Sequence, residues 1–188
     1  MDHETQLWLI RHAPVAGPRG VIHAPDAPAD LGDAATFAAR QARLPGGAFA
    51  VCSPARRTRE TAARLGLDAI EDDAFREQDF GDWTGRRHSE LEAELGAVYH
   101  AFWNAPATNR PPGGESFADQ IARAKAGLAR LPAGHVVLVV HSGTIRAVLA
   151  IALDLLPGTA LRFVIDPLSL TRIDRLPNAW RVVAVNGR

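Results

Sequence analysis

Residues 135–143, His-Val-Val-Leu-Val-Val-His-Ser-Gly, constrain the fold of this chain more than any other stretch. The five residues between the two histidines are all aliphatic, and four of them are valine. A strand with one wet face alternates apolar and polar residues. This one does not, so it reads as a strand buried on both faces, as in a parallel sheet with helices above and below. It runs into residues 144–156, TIRAVLAIALDLL, a helix candidate interrupted by Asp154 and too short to span a bilayer.

The rest of the chain alternates in the same manner. Residues 6–11 (QLWLIR) and 48–53 (AFAVCS) are short strand candidates, and a weak one surrounds Ile70. Helices are expected over 32–44, 54–66, about 86–103, and 116–131. The second would be opened by Ser53 as N-cap with Pro54 at the first helical position, and stopped by Gly66. In the last, Phe117, Ile121, Ala124, Leu128 and Leu131 recur at helical spacing. Residues 13–31 and 104–115 read as loops. Residues 161–186 read as two or three strands, with turns at Asp166-Pro167 and Pro177-Asn178. No repeat, low-complexity tract or linker divides the chain. Residues 1–188 are therefore expected to form one domain, an α/β three-layer sandwich with a mostly parallel central sheet.

Charge excludes some partners. Lys+Arg and Asp+Glu are each 21, so the formal net charge is zero and no global field draws the chain to nucleic acid or to an anionic membrane. Cys52 is the single cysteine, so no intrachain disulfide can form, as suits a reducing compartment. The opening MDHETQ is acidic and polar, unlike a secretory signal. A cytoplasmic protein is expected. The seven histidines are scattered, with no His-Glu-x-x-His or Cys-x-x-Cys spacing, so neither metal nor cofactor is expected.

In open α/β sheets, ligands gather beyond the carboxyl ends of the strands. After the first strand come Arg11 and His12. After the second come Arg56, Arg57 and Arg59, in the first turns of a helix. After the central strand come His141, Ser142 and Gly143. If these strands are neighbours, guanidiniums, imidazoles and helix N-termini converge on one crevice, a collection suited to a phosphate dianion. Each feature alone has a plain explanation: a solvated basic face, or a histidine bonded to its own loop. The conjunction at three strand ends favours phosphate.

The same residues resemble the histidine phosphatase superfamily, the phosphoglycerate mutase-like proteins. LIRHAP is similar to its Arg-His-Gly motif, CSPARRTRETA to its arginine segment, and FREQDFGDWTG to its glutamate segment. PPGGESFADQIARA resembles its Gly-Glu-Ser segment, and VVLVVHSGTIRAVL its second-histidine motif, which usually ends His-Gly-Gly-x-x-Arg. The five lie in the family's order over residues 7 to about 150. The Pro-rich stretch after LIRHAP is most similar to the α-ribazole phosphatase-like branch.

The resemblance implies a metal-independent phosphomonoesterase acting on a small phosphorylated metabolite. It makes His12 the phosphoacceptor, Arg11, Arg57 and His141 the phosphate-binding groups, and Glu77 the general acid and base. Composition does not single out Glu77 from Glu71, Asp72, Asp73 and Asp79; only the resemblance does. Arg56 and Arg59 do not align and are expected to be solvated or structural. Departures from the family pattern are Ala13 and Ser142 at two glycine positions, Ala55 and Thr58 at a leucine and an alanine position around the family arginine, and Glu60 at a glutamine position. The Ser142 hydroxyl would contact phosphate or cap its helix. Residues 14–30 and 83–114 should line the mouth, with His23 touching substrate. Trp83, Tyr99, Phe102 and Trp103 would either stack on a flat leaving group or form the core of the covering helix. A mutase would need longer covering segments than this chain has, and a non-catalytic phosphate-binding module would have lost His12 or Glu77. The strand-rich C-terminus offers an edge through which a homodimer would form.

Overall fold

The computed structural model describes residues 4–188; Met1–His3, part of the polar opening read above, lie outside the described residues. Six strands form one sheet: β1 (Thr5–Arg11), β2 (Phe49–Cys52), β3 (Ile70–Glu71), β4 (Gly134–Val140), β5 (Leu170–Arg175) and β6 (Trp180–Gly187). Their order is β3-β2-β4-β1-β5-β6. The first four run parallel, and β5 and β6 complete the sheet antiparallel, so the expected mostly parallel sheet is present.

The valine-rich run is β4, paired on both edges. Val136, Leu138 and Val140 pack on one side with Leu7 and Leu9 of β1. Above them lie Leu128 of α5 (Phe117–Arg130) and Ile145, Val148 and Leu149 of α6 (Ser142–Ala152). Val137 and Val139 face the other way, toward Phe37 of α1 (Ala34–Gln41) and Ala62 of α2 (Arg56–Arg64). Each face of β4 therefore buries its own set of side chains under helices, the physical meaning of a run without alternation. Burial of each such aliphatic side chain stabilises the fold by about 1.5–3 kcal/mol.

Three local expectations are corrected. The helix expected over 86–103 is two helices, α3 (His88–Leu95) and α4 (Ala97–Asn104), separated at Gly96, whose φ of 45° a helix cannot continue through. Ser53 and Pro54 do not open α2. The N-cap is Ala55, without a side-chain bond, and the Ser53 hydroxyl is engaged elsewhere. Residues 161–165 are not a strand; they follow the short helix α7 (Pro157–Ala160), leaving two strands in the C-terminal segment.

The loop 13–31 crosses the carboxyl ends of the strands. It is joined to the segment before α3 by Ile22 N donating to Arg86 O (3.0 Å) and Gly85 N donating to Ile22 O (2.6 Å). Ile22, Trp83, Leu91 and Phe102 form a small apolar cluster of their own beneath α3 and α4. Trp83 and Phe102 are thus core residues of the covering segment.

Truncation of Leu138 to alanine should leave a cavity in the centre of the sheet. The expected loss is about 2–5 kcal/mol, read as a lower urea midpoint with an unchanged slope.

Candidate active site

The strands β2, β4 and β1 are adjacent and parallel, and they end level. Arg11 sits beside Val140 and Cys52 beside Val139 in the register. The next residues keep that ladder going, with His12 N donating to Val140 O (2.9 Å) and Ser53 N to Val139 O (3.2 Å). His12 and His141 consequently leave neighbouring strands at the same height. Their rings stand edge to face with centroids 5.1 Å apart.

His12 is buried, and its Nδ1 lies 2.6 Å from the carbonyl oxygen of Ala13. A carbonyl only accepts, so the proton is on Nδ1 and the lone pair on Nε2. Burial holds the imidazole well below its usual pKa; His141, Arg57 and Arg11 act in the same direction, and the bond to Ala13 opposes them. Ala13 is itself buried, its N–H donating to Thr61 Oγ1 (3.0 Å) and its φ not positive, so alanine fits here without a left-handed backbone. His141 is fully buried and held well below its usual pKa by burial, then by Arg57 and Arg11. Its Nε2 meets Ser53 Oγ at 2.8 Å, while its Nδ1 is buried without a partner. The Ser53 hydroxyl also accepts from Ala55 N (3.3 Å), so it serves both its own turn and His141.

Arg11 and Arg57 flank the two rings. Arg11 Nη1 donates to Ile165 O (2.5 Å), and its Nε is buried without a partner. Arg57 Nη1 donates to Ala24 O (2.9 Å) in the mouth loop. Burial lowers the pKa of both guanidiniums, and the charge of Glu77 opposes it. Arg56 and Arg59 point away, pairing with Glu60 (2.7 Å) and Glu71 (3.6 Å) on the surface. Glu60 has a further role: its other oxygen accepts from Ala29 N (2.8 Å), fastening the mouth loop to α2.

Glu77 is the acid that reaches this cluster. Its Oε2 accepts from Gly143 N (3.3 Å) at the start of α6, with Ser142 Oγ at 3.5 Å. Its Oε1 accepts from its neighbour Gln78 N (3.1 Å) and from Gln120 Nε2 (3.2 Å). A Cβ on Gly143 would overlap Glu77 Oε1, so glycine at that position lets the carboxylate reach the helix start. His141, not Ser142, is the N-cap of α6; the Ser142 hydroxyl faces Glu77.

These groups line a cavity of about 800 Å³. His23, Val21, Phe80, His88 and Trp103 form its outer walls. Trp103 is 40% exposed and turned to the cavity, unlike Trp83 and Phe102. Arg11, His12, Arg57, Glu77, His141 and Ser142 meet at this cavity; Ser53, Gln120 and Arg146 also reach the cluster, and the sequence did not mark these three as site residues. Gln120 left a trace, a polar residue one turn after Phe117 on the apolar face of α5, where it is fully buried. No group of three or more His, Cys, Asp or Glu side chains is gathered as for a metal ion among the described residues. No helix among them is long and apolar enough to cross a membrane.

Residues 7–188 match the family model described as histidine phosphatase superfamily, branch 1. The chain belongs to the histidine phosphatase superfamily. Among curated members it is 38% identical over 149 residues to a bifunctional protein of Mycobacterium tuberculosis, covering 75% of this chain; the chain spans only 40% of that relative. It is 36% identical over 121 residues to a glucosyl-3-phosphoglycerate phosphatase of the same organism, covering 56% of this chain and 54% of that one. Of solved superfamily structures, the α-ribazole phosphatase of Shigella flexneri superposes with a TM-score of 0.84 at 23% identity, over 97% of this chain and 96% of that chain, a likeness of fold. A mycobacterial glucosyl-3-phosphoglycerate phosphatase complexed with VO3 superposes with a TM-score of 0.82 at 29% identity, over 97% and 99%.

Two outcomes follow from the geometry. Gly143→Ala should displace Glu77 and lower turnover about a hundredfold, while thermal unfolding shows the fold retained. The two buried imidazoles have a pKa depressed below 6.5 in the folded state. The unfolded chain therefore binds more protons below that value. The stability is fully present above about pH 6.5 and falls as the pH drops through it toward the lower folded-state values. Urea midpoints across that range check this, and ring NMR should find His12 and His141 neutral at about pH 6.

Proposed function

We propose that this chain is a metal-independent phosphomonoesterase that hydrolyses a small phosphorylated metabolite through a phosphohistidine on His12. The observation that carries the reading is the orientation of His12: Nδ1–H is committed to Ala13 O, so a neutral ring offers its Nε2 lone pair between two guanidiniums. Phosphate oxygens are also the acceptors that the unpartnered Arg11 Nε would use.

In the first displacement, Nε2 of His12 bonds to phosphorus and the ester P–O bond breaks. Arg11, Arg57 and His141 hold the equatorial oxygens, and the carboxyl of Glu77 gives its proton to the leaving alkoxide. The Ala13 carbonyl stabilises the positive charge that the ring gains. In the second, the Glu77 carboxylate takes a proton from water, the water oxygen bonds to phosphorus, and the P–N bond breaks. His12 returns to its neutral form with phosphate released. Each step consumes the protonation state of Glu77 that the other restores.

Hydrolysis is favoured over mutase transfer by the brevity of the cover, two eight-residue helices above an open mouth. A mutase must keep water from its intermediate. The leaving group would rest against Trp103 and His88, and His23 would meet it from the loop. The phosphomonoesters named for the relatives, α-ribazole phosphate and glucosyl-3-phosphoglycerate, are the first substrates to try. A cytoplasmic setting belongs to the same proposal, as a single cysteine suits a reducing compartment.

The test is turnover of p-nitrophenyl phosphate in EDTA, with rapid quench into alkali, in which phosphohistidine survives. Wild-type protein should carry acid-labile label, and His12→Ala should lose both label and turnover. Glu77→Gln should slow turnover about 10²–10⁴-fold, most severely for poor leaving groups. Arg57→Ala should cost about 10²–10³-fold, against less than about threefold for Arg56→Ala. Full activity in His12→Ala, or label on Ser142, would overturn the reading.

A further inference from the structure

The cavity wall holds two guanidiniums to which the proposed reaction gives no task, Arg76, which faces Asp73, and Arg146, which faces no acid within ion-pair distance among the described residues. Arg146 lies on α6, five residues after His141, and closes the quoted second-histidine motif. Its Nε donates to Phe163 O at 2.9 Å. Two residues further along that loop, Ile165 O receives Arg11 Nη1. One short loop thus anchors two guanidiniums by alternate carbonyls and keeps them near each other despite their mutual repulsion. Burial lowers the pKa of each, Arg146 adds to that effect at Arg11, and Glu77 opposes it at both. Arg146 makes no ion pair, and its terminal Nη groups have no hydrogen-bond partner among the described residues.

Glu77 is the charged neighbour that acts on Arg146. The other acids of the cavity wall are placed elsewhere: Asp73 is exposed and faces Arg76 at 3.6 Å, and Asp79 is exposed and accepts from Gly81 N. In the first displacement Glu77 is protonated, which leaves the Arg146 guanidinium without a countercharge beside it, on the side of the leaving group.

The geometry points to Arg146 as the binding group for a second anion carried by the leaving group, a carboxylate or a further phosphate. This rests on the phosphomonoesterase reading and narrows its substrates to esters with a second acidic group a few bonds from the scissile oxygen. The planar fork of Arg146, fixed through Nε, presents two parallel N–H groups, the arrangement that binds either anion bidentately.

Matched pairs test it: 3-phosphoglycerate against glycerol 3-phosphate for a carboxylate, and adenosine 3′,5′-bisphosphate against adenosine 5′-monophosphate for a phosphate. Within each pair the scissile phosphate is common, so effects on phosphate binding or on Glu77 cancel in the ratio of kcat/KM. Wild-type protein should prefer the doubly acidic member of one pair by about 10- to 100-fold, and which pair shows it names the anion. Arg146→Ala should bring that ratio to about one, and Arg146→Lys should recover part of it. The same pairs are titrated calorimetrically into His12→Ala, so that an enzyme inert toward every ester, which would sink the hydrolase reading, still yields the ratio. A wild-type ratio near one in both pairs, or a preference that survives in Arg146→Ala, overturns the assignment.

Discussion

The site depends on the two-sided pairing of β4. Because β2 and β1 both run parallel to it and all three end level, the residues after each strand emerge side by side. The first residue beyond β1 and the first beyond β4 are then both histidines, and the turn beyond β2 delivers Arg57. A slip of one residue in either register would turn the alternate side chains to the wrong face and separate the rings. The continuous aliphatic run guards against slippage because the two faces bury different partners, Leu128 and Ile145 on one side, Phe37 and Ala62 on the other.

The parts of the fold that were legible in the sequence are those whose burial leaves a compositional mark. β4 shows itself by lacking polar alternation, and α5 by the period of Phe117, Ala124 and Leu128. The break at Gly96 left no such mark, since apolar residues continue on both sides of it and a lone glycine is tolerated in many helices. Ser53-Pro54 satisfied the local rule for a helix start. The side chain accepts from Ala55 N without capping the helix, and it also meets His141, 88 residues away; local rules carry no information about such a partner.

The site was legible to a different depth at each residue. Arg11 ends β1, and His12 and His141 follow their strands directly, so topology alone places them. Glu77 comes from an irregular segment with several acids, and nothing in its spacing distinguishes it. What singles it out in space is contact made by other elements: Gly143 N at the start of α6, Gln120 from α5, and the room left by the missing Cβ of Gly143. Gln120 and Arg146 lie in helices whose sequence pattern describes packing, and the turn of Gln120 toward Glu77 and of Arg146 toward the cavity depends on how α5 and α6 dock on the sheet.

The small apolar cluster of Ile22, Trp83, Leu91 and Phe102 shares no residue with the clusters on either face of the sheet. The chain therefore has two separable tuning elements. Substitutions among those four residues can reshape the mouth and its selectivity with little strain passed to the strand ends. Four hydrogen bonds couple the mouth loop to the helix that carries a proposed phosphate ligand: Arg57 Nη1 to Ala24 O, Arg56 N to Pro25 O, Ala29 N to Glu60 Oε2, and Ala13 N to Thr61 Oγ1. A lineage of such proteins can thus diversify in what it admits while its reaction chemistry stays constant, and these four bonds are where that independence should fail.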